Sequence, residues 1–161
     1  MAATIMVKVE VKFDGTNFND VTQYVEQIQL SYGRSAILQD FSSGGASLFV
    51  DNRGGEFTPG HPGASYGNTQ LINREVRISS EVVGGSDSYA TYLFRGVITD
   101  ANYVAGFSGS TVQFVISDGF DRLATASILN QTFAEAYTGV RVAEILDLSS
   151  VDYPDESSPL D

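Results

Sequence analysis

Few residues in this chain could do covalent or metal chemistry. It has no cysteine and a single histidine, His61. Disulfides, thiolate metal sites and a cysteine nucleophile are therefore excluded, and a His-rich zinc site or histidine relay lacks its members. His61 lies between Gly60 and Pro62 in a turn-rich stretch, the setting of a structural or solvated side chain. Asp51-Asn52-Arg53-Gly54-Gly55-Glu56 clusters oxygen ligands as a calcium loop would. It lacks the alternating acidic positions, however, and puts Arg53 inside the ligand set, so a hairpin turn is the plainer reading. Asp87-Ser88 and Ser108-Gly109-Ser110 lack the strand–Ser–helix setting of a nucleophile elbow. Gly44-Gly45 and Gly54-Gly55 miss phosphate-loop spacing and open no helix. Carboxylates are numerous, yet spacing marks out no acid/base pair. The expectation is a protein that is not an enzyme, with no catalytic, cofactor-binding or metal-ligating residue. One aromatic set, Tyr32, Phe49, Tyr66, Tyr89 and Tyr103, could form a sugar-stacking face, although β proteins also use such residues in cores and strand pairs.

The elements that would position these residues read mostly as strands. Ile5, Val7, Val9, Val11 and Phe13 alternate with Met6, Lys8, Glu10 and Lys12, the period-two pattern of a strand with one buried face. Asp14-Gly15-Thr16-Asn17 predicts a turn, and residues 20–25 a turn or single helical turn. Alternation resumes from Glu26 to Tyr32, with Ile28 and Leu30 inward. Ala46, Leu48 and Val50 define the next inner face, with Phe49 opposite. The segment from Phe57 to Leu71 carries Pro59, Gly60, Pro62, Gly63 and Gly67 and predicts a loop of about 15 residues, long enough to suggest a contact. Val76, Ile78 and Val82 form a strand, followed by a turn at Gly84-Gly85-Ser86-Asp87. Tyr92, Phe94 and Ile98 share one side of a strand over Tyr89–Thr99. After a turn at residues 106–109, Val112, Phe114 and Ile116 complete the β pattern. The period then changes: Asp118 could cap a helix from Gly119 to Ile128, and Thr138 a second from Gly139 to Leu148 with Val142, Ile145 and Leu146 apolar.

This gives a mainly β fold, a barrel or sandwich of about eight strands with one or two short helices near the C-terminus. The expected layout is a β domain over residues 1–117, a helical addition over 118–150 and an acidic, flexible tail over 151–161. The 161 residues, 17.3 kDa and 42% hydrophobic content suit one domain with a real core. Nine Lys and Arg against 20 Asp and Glu leave a net charge of −11. The excess is uneven: residues 1–80 hold six basic and eight acidic groups, whereas residues 81–161 hold three and twelve. A field of that sign repels phosphate and argues against stable binding to nucleic acid or an anionic membrane. No apolar run approaches the roughly 20 residues of a bilayer span, and the first residues lack the basic and apolar regions of a signal peptide.

The order of short segments carries a resemblance. Residues 20–25, Tyr32-Gly33-Arg34, Phe41 and Gly44-Gly45-Ala46-Ser47-Leu48 come first, then Asp51-Asn52-Arg53-Gly54-Gly55-Glu56-Phe57-Thr58-Pro59. Arg74-Glu75-Val76-Arg77-Ile78, Leu93-Phe94-Arg95-Gly96-Val97-Ile98 and Ser117-Asp118-Gly119-Phe120-Asp121-Arg122-Leu123 follow. Taken together, over about residues 5 to 160, they resemble the N-terminal part of minor tail proteins of long-tailed bacteriophages, the tail-tip or baseplate-hub group. Residues 138–146 followed by Tyr153-Pro154-Asp155-Glu156 resemble it too, at the point where further domains usually follow in that group. The resemblance implies a tail-tube-like β domain and a structural virion protein whose ring joins the tail tube to distal parts. It implies a homotrimer, with a hexameric distal-tail adaptor as the close alternative. The tail tube protein, the tape-measure protein and other baseplate subunits are the implied neighbours, and no catalytic residue carries over. A stand-alone carbohydrate-binding host-recognition module is the competing class.

Overall fold

The computed structural model describes residues 4–32, 43–83, 90–106, 109–119, 121 and 137–146. The alternating N-terminus becomes β1 (Thr4–Val11), with Val9 and Val11 wholly buried and Lys8 and Glu10 on the other face. Asp14 then ends the strand by geometry its carboxylate dictates. Its Oδ1 accepts the backbone N–H groups of both Thr16 (2.8 Å) and Asn17 (2.7 Å), closing a tight turn. Gly15 supplies the left-handed φ of 76° there.

A two-residue strand β2 (Asn19–Asp20) and a single 3-10 turn (Thr22–Tyr24) lead into β3 (Val25–Ser31). Among the described residues, β4 (Gly45–Asp51), β5 (Glu75–Val83), β6 (Ala90–Gly106) and β7 (Gly109–Ser117) complete the β structure, and a helix, α1, spans Thr138–Leu146. All seven strands lie in one sheet in the order β2-β1-β5-β6-β7-β4-β3, and every pairing is antiparallel.

The two ends of that order, β2 and β3, are neighbours in sequence, separated only by Val21 and the 3-10 turn. An open sheet whose edges are tethered this closely must curl, because the link spans at most roughly 18 Å. β6 makes the curl. Its first half pairs with β5, its second half with β7, and the register shifts at Ile78/Ser79 and Ile98/Asp100 put bulges at Leu93 and Thr99. Both arms of the sheet thus face one core. Val9, Val11, Val76 and Ile78 from one arm meet Leu48, Val50, Val112, Phe114 and Ile116 from the other. Full burial of each such side chain contributes about 1.5–3 kcal/mol.

Several expectations change. The expected mainly β fold takes the form of one seven-stranded antiparallel sheet, with no ladder joining β2 to β3 among the described residues. Tyr92 does not share the side of Phe94 and Ile98: it is exposed while they are buried, because the Leu93 bulge reverses the alternation. β6 continues to Gly106 through Asp100-Ala101-Asn102, where apolar alternation fades. The Asp51–Gly55 turn joins no paired strands, since β4 lies between β7 and β3; it opens the long loop to β5. The second helix forms at Thr138–Leu146. Of the expected helix at 119–128, only Gly119 and Asp121 are described, both helical. The turn at 84–87, Gly33, Arg34, Phe41, Tyr89 and the acidic stretch 151–161 lie outside the described residues.

Candidate functional site

The long loop is not a free excursion. Asn52, nearly fully buried, organises it from the end of β4. Its Oδ1 accepts the Phe57 N–H at 2.9 Å, and its Nδ2 donates to Thr58 Oγ1 at 2.8 Å and toward Ser110 Oγ at 3.4 Å. The Asn52 N–H also donates to the Ser110 carbonyl at 2.8 Å. Phe57 is thereby driven into the core, with ring centroids 5.4 Å from Tyr66 and 5.6 Å from Phe114. Tyr66 also stacks on Phe13 at 4.3 Å. A loop whose prolines and glycines signal surface turns therefore anchors itself through two aromatic side chains. Gly67 fits beneath it because a Cβ there would meet the Thr58 carbonyl at 2.4 Å.

The residues weighed for chemistry fall in separate places. His61 is exposed, its Nδ1 accepting the Gly63 N–H at 3.1 Å. Asp51 is engaged by Arg53, whose Nε lies 2.8 and 2.9 Å from its two oxygens and whose backbone N–H lies at 3.0 Å. The guanidinium holds the Asp51 carboxyl below its ordinary range, and it fills the position a cation would take. Among the described residues, no three His, Asp or Glu side chains gather as metal ligands. The aromatic set is dispersed: Tyr66 belongs to the core cluster, Tyr32 is exposed with its OH on the Leu93 carbonyl (3.2 Å), and Tyr103 donates to the Phe57 carbonyl (3.0 Å). Phe49 is half-buried on β4.

The most organised polar constellation lies on the face of β1, β5 and β6 turned away from the core. Glu10 on β1 faces Arg77 on β5 in register, and Arg77 Nε donates to Glu10 Oε2 at 2.6 Å. Lys8 Nζ sits 3.1 Å from the other Glu10 oxygen and 3.9 Å from Glu81. Glu75 is clamped in the same way, by Lys12 at 3.0 Å and Arg95 at 2.5 Å. The alternation of sign matters, because Arg77 and Arg95 stand directly opposite each other and like charges in that position repel. Phe18 lies over this lattice, its ring centroid 3.9 Å from the Arg77 guanidinium carbon and 4.9 Å from Lys12 Nζ. Glu10, beneath the Arg77 guanidinium's hydrogen bond, is only 7% exposed. The Arg77 hydrogen bond, outweighing burial, holds the Glu10 carboxyl below its ordinary value, and Lys8 assists. A general acid working near neutral pH needs the opposite shift. This lattice therefore suits a rigid surface rather than proton transfer.

Beside it runs an open groove of about 620 Å³ lined by Met6, Val7, Lys8, Asp20, Thr22, Gln23 and Glu81. It exists because β2 is so short. β2 pairs with β1 only at Glu10 and Val11, and Val9 is covered by Val21 and Thr22. The Thr4–Lys8 part of β1 has β5 on one side and no strand on the other among the described residues. Ile5, Met6 and Val7 are 72%, 53% and 40% exposed there. The alternation over residues 5–13 was legible in the sequence; the exposure of its first half was not, since it depends on where β2 ends.

Comparison with protein-family models finds none that matches this chain, and comparison with curated proteins finds no significant match.

Proposed function

We propose that this chain is a structural virion protein of a bacteriophage tail tip or baseplate, forming a ring that joins the tail tube to distal tail components. One observation carries the reading: three of the segments that bear the resemblance, residues 51–59, 74–78 and 93–98, belong to a single scaffold. Residues 74–78 and 93–98 run side by side, with Val76 opposite Gly96 and Ile78 opposite Phe94. Residues 51–59 form the Asn52-organised turn that seats Phe57 in the core. Such a scaffold, with a charge-laced face and a loop locked by aromatic side chains, has the character of a part that positions neighbours.

In the assembly the curled sheet serves as a tail-tube-like β-barrel, its tethered edges drawn together by Val21–Tyr24. The ring is a homotrimer in the hub arrangement, and a hexamer if the chain is instead a distal-tail adaptor. Its neighbours are the tail tube protein, the tape-measure protein and other baseplate subunits. The protein is made in the host cytoplasm and resides in the virion. The net charge of −11 disfavours stable nucleic-acid binding, so an acidic lumen would let a passing genome slide rather than stick. The chain inserts into no membrane in this reading and works without cofactor or catalysis.

The exposed tyrosines Tyr32, Tyr92 and Tyr103 favour the second reading, a carbohydrate-binding host-recognition module. Native mass measurement over a concentration series separates the two. A discrete trimer or hexamer supports the ring. A monomer that binds glycan, and loses that binding on Tyr32→Ala or Tyr103→Ala, overturns it.

A further inference from the structure

We propose that the open edge of β1, Thr4 to Lys8, pairs antiparallel with the same segment of a second copy of this chain about a two-fold axis at Met6.

The molecule has two kinds of edge. Along β3, every fully exposed side chain is polar: Glu26, Gln27, Gln29 and Ser31. That is how proteins blunt an edge against unwanted pairing. Along the open part of β1 the exposed side chains include Ile5, Met6 and Val7 in succession, so the same protection is missing.

Backbone direction makes this edge ready to pair. The Val9 N–H and carbonyl face away from β5, toward Thr22 and Val21, whereas the Lys12 N–H donates to Glu75 on β5. Odd residues of β1 thus point outward and even ones inward. Ile5 and Val7 each present one N–H and one carbonyl to the open edge, and neither has a ladder partner on that side among the described residues. Pairing stops at Lys8 because the 3-10 turn already occupies Val9.

The five residues are self-complementary. With Met6 on the axis, Ile5 of each copy faces Val7 of the other, and the four outward backbone groups per copy are satisfied in two hydrogen-bonded pairs. Those apolar side chains meet on one face and the two Met6 side chains on the other. Lys8 faces Thr4 of the second copy, so no like charges are opposed, and each Lys8 keeps Glu10 and Glu81. Head-to-tail addition onto β3 would instead set Ile5 and Val7 beside its polar edge.

The inference stands on this edge alone and does not require the tail-tip reading. Its test uses native mass over a concentration series near physiological salt, where the screening length of about 8 Å mutes repulsion between the acidic copies. The native chain is expected to form two-fold pairs, a dimer where the ring does not close and two rings joined through this edge where it does. Val7→Pro removes only an outward N–H, so the β5 ladder survives and far-UV dichroism is unchanged, while the pairing constant weakens about 30-fold or more. Ile5→Lys, with the backbone intact, weakens it in the same direction. Met6 would be a non-hydrogen-bonded pair with Cα atoms about 4.5 Å apart, within disulfide reach. Met6→Cys in this cysteine-free chain therefore cross-links pairs on mild oxidation, and Thr4→Cys does not. A monomer at every concentration overturns the inference. So does an oligomer indifferent to Val7→Pro and Ile5→Lys, or equal cross-linking by Met6→Cys and Thr4→Cys. A closed trimer untouched by these changes keeps the tail-tip reading and removes this one.

Discussion

Replacing Asn52 with alanine tests whether the long loop is locked onto the core. The substitution removes the acceptor for the Phe57 N–H (2.9 Å) and the donor to Thr58 (2.8 Å) in a site where Asn52 is 2% exposed. The lost side-chain bond is worth about 1 kcal/mol, and the stranded N–H of buried Phe57 about 1–3 kcal/mol. The sum is about 2–4 kcal/mol. With a urea m value of about 2 kcal/mol/M, the unfolding midpoint should fall by about 1–2 M. Far-UV dichroism and tyrosine fluorescence, followed together, check that the transition stays cooperative. Thr58→Ala removes only one partner and should cost about 0.5–1.5 kcal/mol. A loss below about 0.5 kcal/mol for Asn52→Ala refutes the argument, because the loop would then be held by something other than Asn52.

Other consequences follow from the sheet and its charged face. Gly96→Ala should destabilise by about 1–3 kcal/mol, since its Cβ would meet the Ser117 carbonyl at 2.3 Å and the Phe94 ring at 2.9 Å; unchanged thermal stability would mean β6 and β7 are not this close. Phe18→Ala should cost about 1 kcal/mol by removing the ring from the Arg77 and Lys12 cations, read as a lower melting temperature. Acid should weaken the fold through specific carboxylates. Glu10 is held below its usual 4.5, and Asp14, hydrogen-bonded by the Asn17 and Thr16 backbones, is pushed down from 3.8 to about 2. The folded state then binds fewer protons than the unfolded one, so their contribution is present above about pH 4.5 and lost as pH falls toward 2. Glu10→Gln should shrink the stability difference between neutral and acidic solution, and an undiminished difference in urea titrations would remove Glu10 from that role.

Period-two alternation made the strand interiors legible. Val9, Val11, Leu48, Val50, Val112, Phe114 and Ile116 are buried as their spacing requires, because a strand with one core face leaves few other arrangements. The turn at Asp14 and the single helical turn near Thr22 were legible for local reasons, a short carboxylate bonding nearby amides and a break in alternation. What escaped was set by partners distant in sequence. The bulge at Leu93 turns Tyr92 outward, and only the pairing with β5 reveals it. The strand from Asp100 to Gly106 carries little apolar alternation and is held by β7. Loop composition from Pro59 to Gly67 signalled surface, yet Phe57 and Tyr66 at its two sides are core anchors. The charge lattice could not be read at all, since Glu10, Arg77, Glu75 and Arg95 meet only across strands. The open edge of β1 likewise depends on β2 being two residues long.

The tail-tip reading is tested most directly by locating the chain in the particle. Antibody against this protein, gold-labelled and imaged on phage particles from the source culture, should decorate the distal end of the tail, with three or six copies per particle by quantitative mass spectrometry of purified virions. Particles that carry no peptide of this chain, or label confined to the capsid, would contradict it.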